Sequence, residues 1–280
     1  MATGKDNKRQ GSDEQVVTAS DGLPALRVGG WWRDNHFYVQ RYMDIFNVAM
    51  HGKWQRRPYI ELFAGPGRCV VEGGSEEIDG SPVVALRGRK SFTDYFFIDA
   101  SANLVKALKA RVSGIEHGNV RYFTGDCNQV VGELIRALPQ ERTSLGLAFV
   151  DPYNWEIHFE TLAKLTAGRR LDLMITFHSG QIRRWAEEMP REFDLFFGDA
   201  RWYEDYLAER VRHLRVRSLL NVYEKRLRAL RYLYIDDEVI VRNDQEGLLY
   251  HLIFASKNRL GKEFWHKISR RSWSGQHRLF

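Results

Sequence analysis

Five short apolar segments, "YIELFA" from Tyr59, "YFFIDA" from Tyr95, "VRYFTGD" from Val120, "LGLAFVDP" from Leu145 and "LDLMITF" from Leu171, alternate with stretches of helical pattern. A strand that is apolar on both faces must be covered on both faces, and strands that alternate with helices are joined by crossovers. The pattern therefore predicts an α/β fold, a doubly wound Rossmann-like and mostly parallel sheet, with helices at 82–89, 101–112, 128–138 and 156–167. An earlier helix is expected between Gly30 and Trp54, where Phe37, Val39, Tyr42, Ile45, Phe46 and Met50 recur at three- and four-residue steps, and Pro58 ends it. Residues 180–229 hold charged and aromatic residues at helical spacing and read as a helical insertion or cap. After it, "YLYIDDEVIVR" and "LLYHLIFASKN" flank "NDQEG" and predict an antiparallel C-terminal hairpin at the sheet edge. Residues 1–29 are expected to be a flexible tail and 30–280 a single domain.

At 280 residues and 44% hydrophobic content, the chain can bury a full core. Lys and Arg total 42 against 36 Asp and Glu, a net charge of +6, which suits a polyanionic partner such as nucleic acid and equally a solvated surface of mixed sign. Cys69 and Cys127 make neither a disulfide framework nor a metal-ligand spacing, so a reducing, cytoplasmic setting and no metal are expected. No apolar run reaches the roughly 18 residues of a membrane helix.

The first strand runs into Ala64-Gly65-Pro66-Gly67. In a doubly wound sheet, ligands lie beyond the carboxyl ends of the strands, where the strand order reverses. The turn is not a dinucleotide fingerprint, because Val70 stands where a third glycine would be, and no Gly-Lys-Ser/Thr follows to make a phosphate loop. An acid followed by Gly-x-Gly, here Glu61 to Gly67, resembles the first motif of class I S-adenosylmethionine methyltransferases. A sulfonium ligand has no pyrophosphate to cradle, so close backbone and nearby carboxylates suit it. Asp99 ends the second strand, where an acid takes ribose hydroxyls. Asp126 ends the third, where methyltransferases commonly bind the adenine amine. Each is also well placed to cap the helix that follows.

The fourth strand ends in Asp151-Pro152-Tyr153-Asn154. This partly matches the Asp/Asn-Pro-Pro-aromatic stretch of methyltransferases that act on exocyclic amines, in which a side-chain oxygen and a carbonyl accept from the amine and the ring stacks on the base. A plain turn accounts for it as well.

The blocks "YIELFAGPGRC", "GSPVVAL", "YFFIDAS", "GDCNQVV", "FVDPYNWEIHFETLAKL", "DLMITF" and "YHLIFASKNRLGKEFW", in this order over about residues 30 to 270, resemble the three-Cys-motif partner (TcmP) family. The resemblance implies a methyltransferase-like fold and a partner protein with a three-cysteine, radical-S-adenosylmethionine-like site; it does not supply a reaction. Two readings follow. In the first, the chain is an S-adenosylmethionine-dependent methyltransferase acting on nucleic acid or a nucleobase-type amine. Glu61, Gly65, Gly67, Asp99 and Asp126 hold the cofactor, Asp151 and Tyr153 face the substrate, and Arg183, Arg184, Trp185, Arg201 and Trp202 grip the nucleic acid. In the second, it is a catalytically silent nucleotide- or S-adenosylmethionine-binding protein serving that partner.

Overall fold

The structure, a computed structural model, describes residues 15–139 and 142–271. Its strands are β1 (Val16–Thr18), β2 (Pro24–Val28), β3 (Pro58–Glu61), β4 (Arg68–Val71), β5 (Glu77–Asp79), β6 (Asp94–Asp99), β7 (Asn119–Thr124), β8 (Gly146–Val150), β9 (Leu171–Phe177), β10 (Tyr234–Arg242) and β11 (Leu248–Ser256). Its helices are α1 (Trp32–Met50), α2 (Ser81–Leu86), α3 (Ala102–Val112), α4 (Cys127–Ala137), α5 (Phe159–Thr166), α6 (Ser179–Trp185), α7 (Asp194–Phe197), α8 (Trp202–Ala208), α9 (Arg215–Ala229) and α10 (Arg259–Ser269).

Seven strands form the central sheet in the order β10-β11-β9-β8-β3-β6-β7. The five expected from the sequence, β3, β6, β7, β8 and β9, run parallel, while β11 lies antiparallel between β9 and β10. Alternate residues of each strand feed two cores. On one face Ile60, Phe96, Ala148 and Leu173 pack with side chains of α4, α5 and α9. On the other, Tyr59, Phe97, Phe149 and Met174 pack with α1, α3 and α10. The fold is mixed α/β and Rossmann-like. The chain moves outward from β3 through β6 to β7, then returns to β8 on the other side of β3, so the strand order reverses between β3 and β8. In doubly wound sheets, ligands bind beyond the carboxyl edge at such a reversal point.

Two regions differ from the sequence reading. Val16–Thr18 and Pro24–Val28, within the stretch expected to be a tail, are strands; residues 1–14 of that stretch lie outside the described residues. The polar run "VVEGGSEEIDG" after the glycine turn supplies β5 and the end of β4. Together β1-β2-β4-β5 make a second, four-stranded sheet. Arg111 of α3 ties this sheet to the glycine turn: Nη1 donates to Pro24 O at 2.6 Å and to Pro66 O at 2.8 Å, while Nε and Nη2 donate to the Asp21 carboxylate at 2.8 and 2.9 Å. That pairing holds the Asp21 carboxyl down at about 2.

The 180–229 region is helical, and it covers the sheet. Helix α9 buries Leu219, Leu220, Tyr223 and Leu227, and Trp202 is fully buried with Nε1 donating to Asp194 at 2.9 Å. Trp202 therefore cannot stack on a base. Arg201 is engaged by Asp199 through two side-chain bonds, at 3.1 and 2.8 Å, whereas Arg183, Arg184 and Trp185 are exposed. No helix among the described residues is long and apolar enough to cross a membrane.

Candidate functional site

The glycine turn begins where β3 ends. Sheet pairing continues briefly past Glu61, with Leu62 N donating to Phe149 O at 3.3 Å and Ala64 N to Ile98 O at 2.8 Å, and the chain then turns through Gly65 (φ +62°) and Gly67 (φ +76°). The glycines meet protein on their Cα side. A Cβ on Gly67 would lie 2.7 Å from Leu108 Cδ1 and 3.0 Å from Val83 Cγ2, and one on Gly65 would lie 3.1 Å from Leu26 Cδ1. Both glycines thus combine a left-handed backbone with close packing against α2, α3 and the second sheet, where the sequence reading invoked close approach to a ligand.

Asp99, at the end of β6, orders this turn. Its Oδ2 accepts from Gly65 N at 2.9 Å and its Oδ1 from Ser101 N at 2.8 Å. Each oxygen keeps a further lone pair, and the side chain sits at the partly exposed carboxyl edge, so it can also take vicinal hydroxyls. Burial raises its carboxyl above the ordinary range, against the two backbone bonds that lower it. Asp126 serves as the N-cap of α4: Oδ1 accepts from Asn128 N and Asn128 Nδ2, both at 2.9 Å. Its exposed Oδ2 accepts no hydrogen bond among the described residues. Cap and ligand contact are therefore compatible at Asp126.

Glu61 is placed differently. It has no exposure, and its carboxylate accepts from Tyr59 OH at 3.1 Å and from Ser81 Oγ at the start of α2. Burial pushes its carboxyl well above the ordinary range. Both oxygens are engaged inside the protein, so Glu61 braces β3 against α2 and presents no carboxylate at the carboxyl edge.

Asp151 ends β8, the neighbour of β3 across the point where the strand order reverses. Its Oδ2 accepts from Asn35 Nδ2 of α1 at 3.1 Å, and burial pushes its carboxyl up to about 6. Tyr153 is half-buried, and its backbone N–H donates to Glu156 Oε2 at 3.1 Å. Three further residues that sequence reasoning did not single out adjoin the end of β8. His178, just past β9, has Nε2 2.6 Å from Pro152 O. A carbonyl only accepts, so Nε2 carries the proton; burial pushes the ring down to about 4, leaving it neutral with Nδ1 as a lone-pair acceptor. Its ring lies 5.8 Å from that of Tyr250 in β11. The Tyr250 hydroxyl and Asn35 Oδ1 are buried without a hydrogen-bond partner among the described residues. Buried polar atoms are seldom left unsatisfied, so a ligand group is a natural partner for them.

No protein-family model matches the chain, and no curated protein matches it. Solved structures do. A Legionella pneumophila str. Philadelphia 1 protein of the family model DUF519 aligns with a TM-score of 0.52 at 10% identity, over 84% of this chain and 90% of that one. An O-methyltransferase from Bacillus cereus in complex with S-adenosylhomocysteine aligns with a TM-score of 0.44 at 12% identity, over 90% and 88%. The N-methyltransferase NodS from Bradyrhizobium japonicum WM9, also in complex with S-adenosylhomocysteine, gives 0.42 at 10% identity, over 82% and 89%. At such identities the likeness to the Legionella protein is one of fold: this chain shares a Rossmann-like α/β architecture with it.

Proposed function

We propose that the chain is an S-adenosylmethionine-dependent methyltransferase acting on a nucleobase-type amine. The observation that carries the reading is the carboxyl edge itself: acids close the neighbouring strands β6 and β7, beside a turn whose Gly65 N–H is held by Asp99, and Asp151 stands across the reversal point at the end of β8. Asp99 suits the ribose hydroxyls and Asp126 Oδ2 the adenine amine. The cofactor supplies an electrophilic methyl group. The protein's part is to bind and aim, because in-line transfer to a neutral amine draws most of its acceleration from proximity and orientation.

In this reading Asp151, ionised at neutral pH, and Asn35 Oδ1 accept the two amine hydrogens and hold the nitrogen lone pair toward the methyl group. The Pro152 carbonyl already accepts from His178, so the Asn35 oxygen is the freer second acceptor. Tyr153 supplies the ring beside the base. Membership of the three-Cys-motif partner family, with its three-cysteine partner, belongs to the same proposal. The test is transfer of labelled methyl from S-adenosylmethionine to total RNA, DNA and small metabolites, with and without that partner. Wild type is expected to label one pool, and Asp151→Ala to label it roughly a hundredfold more slowly, the scale of a lost positioning group. Labelling that is absent from every pool would leave the silent binding reading in its place.

A further inference from the structure

The opposite edge of the central sheet carries a groove of about 1090 Å³ that the carboxyl-edge site does not use. Arg142, Arg169, Arg170, Arg231 and Lys257 line it together with apolar residues and backbone, and no carboxylate lines it among the described residues. No ion pair among the described residues neutralises any of the five. Three of them, Arg169, Arg170 and Lys257, bond to backbone carbonyls instead. Lys257 Nζ donates to Thr166 O at 2.9 Å and Arg169 O at 3.0 Å, Arg170 Nη1 to Arg142 O at 2.6 Å, and Arg169 Nη1 to Ala167 O at 3.2 Å, while the buried Arg169 Nε has no partner among the described residues. Such bonds satisfy helix and loop ends, but they leave the positive charges unbalanced.

The placement of these cations is linear. Arg142 precedes β8, Arg169 and Arg170 precede β9, Lys257 follows β11 and Arg231 precedes β10, and these four strands are consecutive in the sheet. At 4.7–4.9 Å per strand the row spans roughly 14 Å. A single phosphoryl group asks for converging donors, whereas a row this long matches successive phosphates of a chain.

Arg231 adds an independent sign. It lies just past the C-terminus of α9 at φ +68°, the position where glycine is favoured because a Cβ is strained there. Tyr232 N donates to Leu227 O at 3.2 Å, completing the helix-ending turn. An exposed arginine in that conformation adds backbone strain and a positive charge beside Lys257, whose ammonium is already depressed first by burial and then by Arg231.

We propose that this groove, on the edge remote from the proposed methyl-transfer site, binds the phosphodiester backbone of a single-stranded nucleic acid. Binding there is non-specific in sequence, since phosphates position a strand and carry no base information. It is also independent of whether the carboxyl edge holds S-adenosylmethionine.

The test is fluorescence anisotropy of the full chain with a single-stranded RNA oligonucleotide, with inorganic tripolyphosphate as the second probe. For about four phosphate contacts, affinity should fall roughly fiftyfold between about 50 and about 200 mM salt. Arg170→Glu should weaken binding by about tenfold. Arg231→Gly is the sharper variant, because it removes the charge while relieving the backbone. It should retain a thermal midpoint at or above that of wild type, yet lose several-fold in affinity and about 0.7 from the salt slope. Arg183→Glu with Arg184→Glu, on the exposed helical cover that the sequence suggested as a nucleic-acid grip, should change little where the groove holds the strand. Unchanged RNA binding in both Arg170→Glu and Arg231→Gly, loss of binding in the Arg183/Arg184 variant alone, or tighter binding of tripolyphosphate than of RNA would each overturn the proposal.

Discussion

Asp151 shows how one burial changes both stability and chemistry. Its carboxyl titrates near 6 in the folded chain against about 3.9 in an unfolded one, because a desolvated carboxylate is disfavoured. The folded state therefore holds the proton longer, and this residue's contribution to stability falls as pH rises from about 4 to about 6, by up to about 3 kcal/mol. Asp151→Asn removes that loss: thermal midpoints of variant and wild type should converge near pH 4, with the variant higher above pH 6. Methyl transfer by wild type should rise across the same window as the carboxylate forms, and a flat profile would disconnect Asp151 from the reaction. The positions of Asp99, Asp126 and Asp151 were legible in the sequence because Asp99 closes β6, Asp151 follows β8, and Asp126 stands two residues past β7, each at a strand end that the sequence marks. Asn35, His178 and Tyr250 were not, since α1, the end of β9 and β11 meet only through the sheet order, and a lone Asn, His or Tyr on a helix or strand carries no local signal. Glu61 was legible as an acid in a motif, but its neighbours Tyr59 and Ser81, which turn it inward, became apparent only with the placement of α2.

At the scale of elements, the glycine turn is the joint between two sheets. Gly67→Ala must accommodate a Cβ 2.7 Å from Leu108 and 3.0 Å from Val83 at a left-handed φ, whereas at Gly65 the nearest atom is a flexible Leu26 methyl at 3.1 Å. Chemical denaturation should accordingly give a loss of about 2–4 kcal/mol for Gly67→Ala and about 1–2 kcal/mol for Gly65→Ala. Equal losses would mean that backbone strain alone matters. Arg111→Ala opens the joint by another route, leaving the Asp21 carboxylate and the Pro24 and Pro66 carbonyls unpaired. Hydrogen exchange in β1 and β2 should speed up before exchange in β6 and β8. The central sheet was readable because strands such as β6 and β9 are buried on both faces and read as continuous apolar runs. The second sheet was hidden: its strands have three to five residues, β1 and β5 contain no fully buried position, and their pairing reaches across the turn to distant segments.

At the scale of the molecule, the two edges of one sheet divide the chemistry. Asp99, Asp126 and Asp151 lie where parallel strands end and Arg142, Arg169 and Arg170 just before they begin, so in the proposed reading a cationic cofactor and an anionic polymer are held without sharing a surface. The central claim concerns the acidic edge, and calorimetry with S-adenosylmethionine and S-adenosylhomocysteine tests it most directly. Wild type should bind at least one of them. Asp151→Ala should bind nearly as well, because the proposed function places its side chain toward the substrate, while Asp99→Ala, measured well below its thermal midpoint, should bind at least tenfold more weakly. Folded wild-type protein that gives no heat with either compound, or Asp99→Ala that binds like wild type, would contradict the assignment.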